Sequence, residues 1–287
     1  QWVIIYFMII IIVNNEKRYL VFLLAFLLYS FKMAQFSFRG WAGFGFGFSN
    51  WGTGGGPGWF ENSGEFGVQM CVFFPLAYYF FLSLKEYWPK WKQIFFSLFP
   101  IFSITSMISS ASRGALLGGG AVLVWILIKS RYLLKGMVAL AIISCLVLIA
   151  IPKEQKERFQ AIGEDRTSIT RMDRWKHGLE MAREYPVLGV GFSNWTVAER
   201  SMFNARGGLS HNIFIECMSE LGYSGLVVFL LMAIFTFVNN SRTRKIAISQ
   251  RNENKFIFYM AHGLDGALIG YLVSGFIVTV LYYPCFW

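Results

Sequence analysis

The feature that most constrains this chain is a series of apolar runs, at 1–13, 19–31, 67–84, 93–110, 114–129, 136–151, 211–238 and 257–283. A helix crosses the hydrocarbon core of a bilayer with about 17–25 such residues. In lipid every backbone polar group must be satisfied inside the protein, which selects helices or closed barrels. The runs therefore predict an all-α, polytopic membrane helix bundle of about eight spans. Composition decides against a large soluble core. Only 15% of the 287 residues are charged and 55% are hydrophobic, whereas soluble domains are about a quarter charged.

The loops set the orientation. Lys17 and Arg18, then Lys85, Lys90 and Lys92, then Lys129, Arg131 and Lys135, then Arg242, Arg244, Lys245, Arg251 and Lys255 fall on one side of the alternating spans. By the positive-inside rule that side is cytoplasmic. The opposite side then carries 32–66, the tight turn at 110–113 and the long stretch 152–210. The predicted organisation is transmembrane helices over 1–151 with a Gly/aromatic-rich extracytoplasmic loop at 32–66, an extracytoplasmic loop over 152–210, and C-terminal transmembrane helices over 211–287. The chain opens on Gln1 inside an apolar run, without a basic n-region or a small-residue cleavage site. It reads as a piece of a longer chain rather than as a signal peptide followed by a mature domain. Cys71, Cys145, Cys217 and Cys285 lie in apolar surroundings without a CxxC spacing, and read as buried hydrophobes.

The net charge of +10 has a cytoplasmic share that any membrane protein shows, and an extracytoplasmic share that suits an anionic ligand. Within 152–210, residues 170–185 read as a helix lying along the membrane. Thr170 and Asp173 have the spacing of a capping box, and Pro186 limits the far end. Met172, Trp175, Leu179 and Ala182 form one apolar stripe, expected to face lipid or the bundle. Arg171, Arg174 and Gly178 lie on another face, free to meet an anion. A purely interfacial amphipathic helix has the same pattern. Segment 37–66, with Gly43 to Phe48, Gly52 and Gly54 to Gly56, reads either as an interfacial aromatic loop or as a sugar-stacking surface.

Of the three histidines, His177 reads as a surface residue of the loop helix. His262 and Asp265 share a face and read as a structural pair. His211 ends the long loop and begins an apolar helix. A helix N-terminus disfavours imidazolium and leaves a neutral ring able to take a proton, although a capping histidine would sit there too. Arg113 follows Ser112 between two spans that turn without a loop, where an arginine is costly unless it meets an anion or water. Its planar fork suits phosphate oxygens. Glu164, Asp165, Asp173 and Glu180 have no metal-ligand spacing, so no metal or other cofactor is expected and phosphate charge falls to arginine.

These residues resemble the bacterial O-antigen ligase superfamily, which includes O-antigen ligases, O-antigen polymerases and protein O-oligosaccharyltransferases. His211-Asn212, nine residues, then Gly222-Tyr-Ser-Gly225 matches the family's His-Asn/Ser-x9-Gly-x-x-Gly. Ser112-Arg113-Gly114 is similar to its Ser-Arg-Gly. Arg171-x3-Trp175 followed by Pro186-Val-Leu-Gly189-Val-Gly191 is similar to its Arg-x3-Trp and Pro-x-x-Gly-x-Gly. Asn62-Ser-Gly-Glu-Phe-Gly67 is a weaker match. Members have more spans than are counted here, which implies an N-terminally truncated member. Leu226 and Val227 stand where some ligases carry threonines.

The resemblance implies a glycosyltransferase of the bacterial inner membrane, multi-pass, with its site facing the periplasm. His211, Arg171 and Arg113 would be catalytic, and Arg174, Ser112, Asn212 and Trp175 would bind substrate. The donor would be a polyprenyl-diphosphate-linked glycan held in the lipid bilayer. The acceptor would be a glycan, lipid A-core or protein hydroxyl, and no nucleic acid is involved. A polymerase or a protein transferase of the same superfamily differs only in acceptor. A lipid or anion transporter is the alternative of another class, and would call for inverted repeats or broken midplane helices.

Overall fold

The computed structural model describes residues 2–47, 52–53, 60, 62–130, 134, 136, 138, 166–249 and 254–283. The expected span 136–151, Gly54–Gly56, Cys145, Glu164, Asp165 and Cys285 lie largely or wholly outside them. Among the described residues every regular element is helical: α1 (Trp2–Ile12), α2 (Glu16–Gly43), α3 (Ser63–Leu84), α4 (Lys90–Ser109), α5 (Arg113–Ile128), α6 (Arg166–Glu184), α7 (Trp195–Phe203), α8 (Ile213–Ser249) and α9 (Lys255–Gly275), with a 3₁₀ turn at Lys85–Tyr87. Five helices, namely α2, α3 with its 3₁₀ turn, α4, α8 and α9, are long and apolar enough to cross a membrane. The all-helical membrane architecture is as the sequence predicts, with fewer full-length spans among the described residues than the eight apolar runs suggested.

Three boundaries differ from expectation, each for a physical reason. α2 runs on to Gly43, so the opening part of the stretch 32–66 is helix and not loop. Its small and apolar residues Phe31, Met33, Ala34 and Ser37 form a buried face, with Phe31 stacked on Phe99 at 4.1 Å. α8 runs on to Ser249, so Asn239–Ser249 is helix as well. Its polar end is held because Asn240 Nδ2 donates to Asp265 Oδ1 at 2.8 Å and Arg244 pairs with the other carboxylate oxygen. The expected span 257–283 is helical only to Gly275, beyond which the chain turns and Val280 O accepts from Tyr271 OH at 2.8 Å.

The chain divides into two compact units, residues 1–122 with 230–287, and residues 123–229. In the first, α3 is the central helix and is buried along most of its length. Asn62 caps it, accepting from Glu65 N at 3.0 Å and donating to Glu65 Oε1 at 2.7 Å. Hydroxyl-to-backbone bonds tie its neighbours in: Ser103 Oγ to Met70 O at 2.8 Å and Ser106 Oγ to Ala34 O at 3.3 Å. α5 and α9 approach through small residues spaced by four, Gly114 and Gly118 against Gly270 and Ser274, the pattern that lets membrane helices pack backbone to backbone. A Cβ on Gly118 would fall 1.9 Å from Ser274 Oγ and 2.8 Å from Gly270 O. Gly118→Val is therefore expected to cost about 1–3 kcal/mol by overpacking, read as a lower unfolding midpoint in detergent by intrinsic-fluorescence melting. An unchanged midpoint would contradict this packing.

Candidate active site

The unit of residues 123–229 builds its site from α6, α7 and the start of α8. α6 extends from Arg166 to Glu184, so Thr170 and Asp173 lie inside the helix rather than at its cap. Its buried face is Gly178, Met181 and Ala182, with Arg171, Arg174 and Trp175 half-buried on the turns before it. Met172 and Leu179 are exposed. The expected apolar stripe is thus divided, and the arginine face is the inward one. Gly178 explains the inversion. A Cβ there would lie 2.4 Å from Ile215 Cγ2 and 2.6 Å from the Trp195 ring, so only the glycine side of α6 can close on its neighbours. Met181, Trp195 and Ala198 form the small core that results, with Val190, Met202, Phe203 and Ile215 packed against it.

The arginine face meets carbonyls of the irregular segment that leads into α8. Arg174 Nη1 donates to Leu209 O at 3.2 Å and the Trp175 indole donates to Ser210 O at 3.0 Å. The guanidinium lies flat against Gly208, where a Cβ would be 2.0 Å from Nη2. On its far side Arg174 Nε is 3.9 Å from Glu199 Oε1, and the same oxygen is 3.2 Å from His177 Nδ1. His177 is therefore not a plain surface residue. It stacks on Phe203 at 4.3 Å and pairs with a buried carboxylate.

His211 follows directly, in the left-handed region at φ 52°. Asn212 then caps α8, its Oδ1 accepting from Phe214 N at 2.9 Å and Ile215 N at 3.1 Å. His211 thus sits one residue outside the helix. Burial pushes the imidazole down to about 4, and the Arg171 and then the Arg174 charge push in the same direction. Burial and the two arginines thus both favour the neutral ring, the direction also expected of a helix N-terminus. Arg171, Arg174, Trp175, His211 and Asn212 are brought together.

Below His211, α8 breaks at Gly222 (φ 71°, ψ −177°), and the loop after α6 repairs the break. Tyr223 N donates to Pro186 O at 2.8 Å, while Ser219 O accepts from Val190 N at 2.8 Å and Glu220 O accepts from Gly191 N at 2.9 Å. Ser224 Oγ donates to Val187 O. A side chain on Gly222 would meet Val187 O at 2.3 Å, and one on Gly189 would meet Glu220 C at 2.4 Å. The glycines of both sequence motifs are thus two halves of one contact. Glu220 adds a third tie, its carboxylate accepting from Ser193 N at 3.0 Å and Trp195 N at 2.8 Å at the start of α7, where negative charge suits the helix dipole.

Arg113 and Ser112 belong to the other unit. Arg113 opens α5 and is half-buried, after a turn in which Ala111 has φ 50°. Ser112 Oγ accepts from Ala115 N at 3.3 Å. The Gly/aromatic stretch reaches this turn: Thr53 N donates to Ser109 O at 2.8 Å, and Gly52, at φ 67°, lies so close that a Cβ would be 2.1 Å from Ser110 O.

Sequence reasoning missed Glu199 and Glu220. The signals were present. Glu199 sits on the stripe Trp195, Ala198, Met202, and Glu220 interrupts an apolar helix, where an ionisable residue is a functional candidate.

Compared with known proteins, residues 98–230 match the sequence model of the family described as O-Antigen ligase. That stretch contains Arg113, α6, α7, His211 and the Gly222 break. The chain is also 31% identical over 87 residues to the exopolysaccharide production protein ExoQ of Rhizobium meliloti (strain 1021), covering 27% of this chain and 20% of that relative. The chain thus spans one fifth of the length of the curated relative it matches.

Proposed function

We propose that the chain, whose residues 98–230 match the O-antigen ligase family, is a membrane protein of that superfamily and transfers a glycan from a polyprenyl diphosphate to an acceptor hydroxyl, on the periplasmic side of the inner membrane. The observation that carries this reading is the half-buried His211 at the entry to α8, on a turn that Arg174 and Trp175 hold and beside the Arg171 charge. The neutral imidazole takes the proton of the acceptor hydroxyl as its oxygen attacks the anomeric carbon. The bond from that carbon to the diphosphate oxygen breaks, and the diphosphate leaves with the electron pair. Arg171 binds the oxygens on which negative charge grows. Arg174, Trp175 and Asn212 hold the His211 turn through residues 209–215.

Arg113, on the other unit, enters this reading through its Ser-Arg-Gly motif alone, as a phosphate-binding arginine. Arg113→Lys keeps the charge and loses the bidentate fork. It is expected to lower transfer by about 10-fold or more, the equivalent of one charge-assisted hydrogen bond of about 1.5 kcal/mol or more. Equal transfer by Lys and Arg would rule out a bidentate phosphate-binding role for Arg113.

The relative's name, an exopolysaccharide production protein, favours a glycan acceptor over lipid A-core or protein, and so a polymerase. Proteoliposomes supplied with lipid-linked glycan and each acceptor in turn separate these cases. The expected product is a lengthened glycan with release of polyprenyl diphosphate. Movement of the lipid-linked glycan across the bilayer with no new glycosidic bond would overturn transfer in favour of a transporter.

A further inference from the structure

The loop that repairs the Gly222 break carries apolar side chains which the proposed reaction does not use. Val187, Leu188 and Phe192 are 66%, 78% and 65% exposed, on a segment whose backbone is held in register against residues 219–224 by four hydrogen bonds. Such side chains normally leave water, and their position along α8 says what they enter.

Val238 is the last apolar residue of α8 before Asn239-Asn240-Ser241-Arg242. Counting back from it the about 20 residues that cross the hydrocarbon core reaches Ser219. The strap therefore meets α8 at the hydrocarbon edge, at the end remote from Arg242 and Arg244, with His211 further out toward water. Three observations agree with that depth. Open backbone groups at a helix break are tolerated there only if paired, and the strap pairs those at Ser219, Glu220 and Tyr223. Next along α8, Val227 and Val228 are also more than half exposed, so the apolar surface is continuous from strap to span. Tyr185 and Tyr223 flank the strap, and tyrosine is the residue of membrane interfaces.

We propose that Pro186–Phe192 is a strap inserted into the membrane, with Val187, Leu188 and Phe192 seated among the acyl chains of the leaflet at that end of α8. The partner is bulk phospholipid, because the three side chains project outward, and fluid chains cover a projecting surface without a matching groove. Since α6 ends only one residue before the strap, at Glu184, insertion fixes the height of α6 at the headgroup level. The inference stands on the membrane fold and is independent of the transfer reaction.

The test is photocrosslinking of the full chain in vesicles of phosphatidylethanolamine and phosphatidylglycerol, read by intact-protein mass. Leu188→benzoylphenylalanine is expected to acquire the mass of one phospholipid in a yield comparable to Val228→benzoylphenylalanine. Both yields should be at least about 10-fold above that of Arg200→benzoylphenylalanine on α7. Position 228 also reports that the chain has inserted. A yield at 188 equal to that at 200 would overturn the proposal. So would adducts that form only when polyprenyl diphosphate is added, which would make the strap a donor site, or crosslinks to a second copy of the chain. Adding Gly222→Ala, which places a Cβ 2.3 Å from Val187 O, should lower the yield at 188 severalfold and leave 228 unchanged. No loss at 188 would show that the break does not hold the strap.

Discussion

Replacing His211 by alanine is expected to lower glycan transfer by about 10²–10⁴-fold while the protein still inserts, the range that a positioned general base contributes. The diphosphate already leaves readily, so the acceptor's proton is the part of the reaction that most needs a protein group. Alanine also changes the backbone, because residue 211 has φ 52°, a region that costs a side chain about 1–2 kcal/mol unless it bonds locally. His211→Asn separates the two effects. Asparagine enters the left-handed region readily but is no base, so it should be as inactive as alanine and fold better. Initial rates for both variants in proteoliposomes, with insertion checked by protease protection, make the comparison. Near-normal transfer by a correctly inserted asparagine variant would remove His211 from the chemistry.

The second large effect is expected at Arg171. Removing one preorganised donor from developing negative charge typically costs about 10²–10³-fold, and Arg171→Ala should lower transfer by that factor. It should also change the pH profile. Burial is the first cause that holds His211 down at about 4, and the Arg171 charge is the second. The base works when neutral, so transfer by the native chain should fall only as the pH drops toward about 4. Without Arg171 the histidine protonates at higher pH, and the acid limb should move upward, though not as far as the ordinary histidine value because burial remains. Transfer measured from pH 4 to pH 8 tests the sign. A lower rate with an unmoved acid limb would leave Arg171 as a phosphate ligand that does not tune His211.

Much of this was legible in the sequence because membranes simplify the problem. Span length dictated helices, and the His-Asn and Gly-x-x-Gly spacing pointed to His211. The errors share one cause. Hydropathy marks where a chain tolerates lipid, not where a helix stops, so α2 and α8 each run past their apolar stretch when a partner accepts their polar residues, as Asp265 does for Arg244. The face of α6 was misassigned for a related reason. Met172, Trp175, Leu179 and Ala182 were expected to face lipid or the bundle together and the arginines to face an anion, but Gly178 has no side chain and decides which side can close. Once it closes, Arg174 and Trp175 meet the carbonyls of Leu209 and Ser210. Glu199 and Glu220 each left a mark in the sequence, but their partners lie on separate elements, so no spacing tied them to the site.

The broken helix has a consequence for assembly order. Until residues 186–191 dock, the carbonyls of Ser219 and Glu220 and the amide of Tyr223 lack these partners at the edge of the hydrocarbon. The loop is synthesised before α8, so its backbone is already available when that helix enters the bilayer. The amide of Tyr223 then becomes a natural clock: its resistance to hydrogen exchange should appear only when loop and span have joined, marking the moment at which this part of the protein is finished.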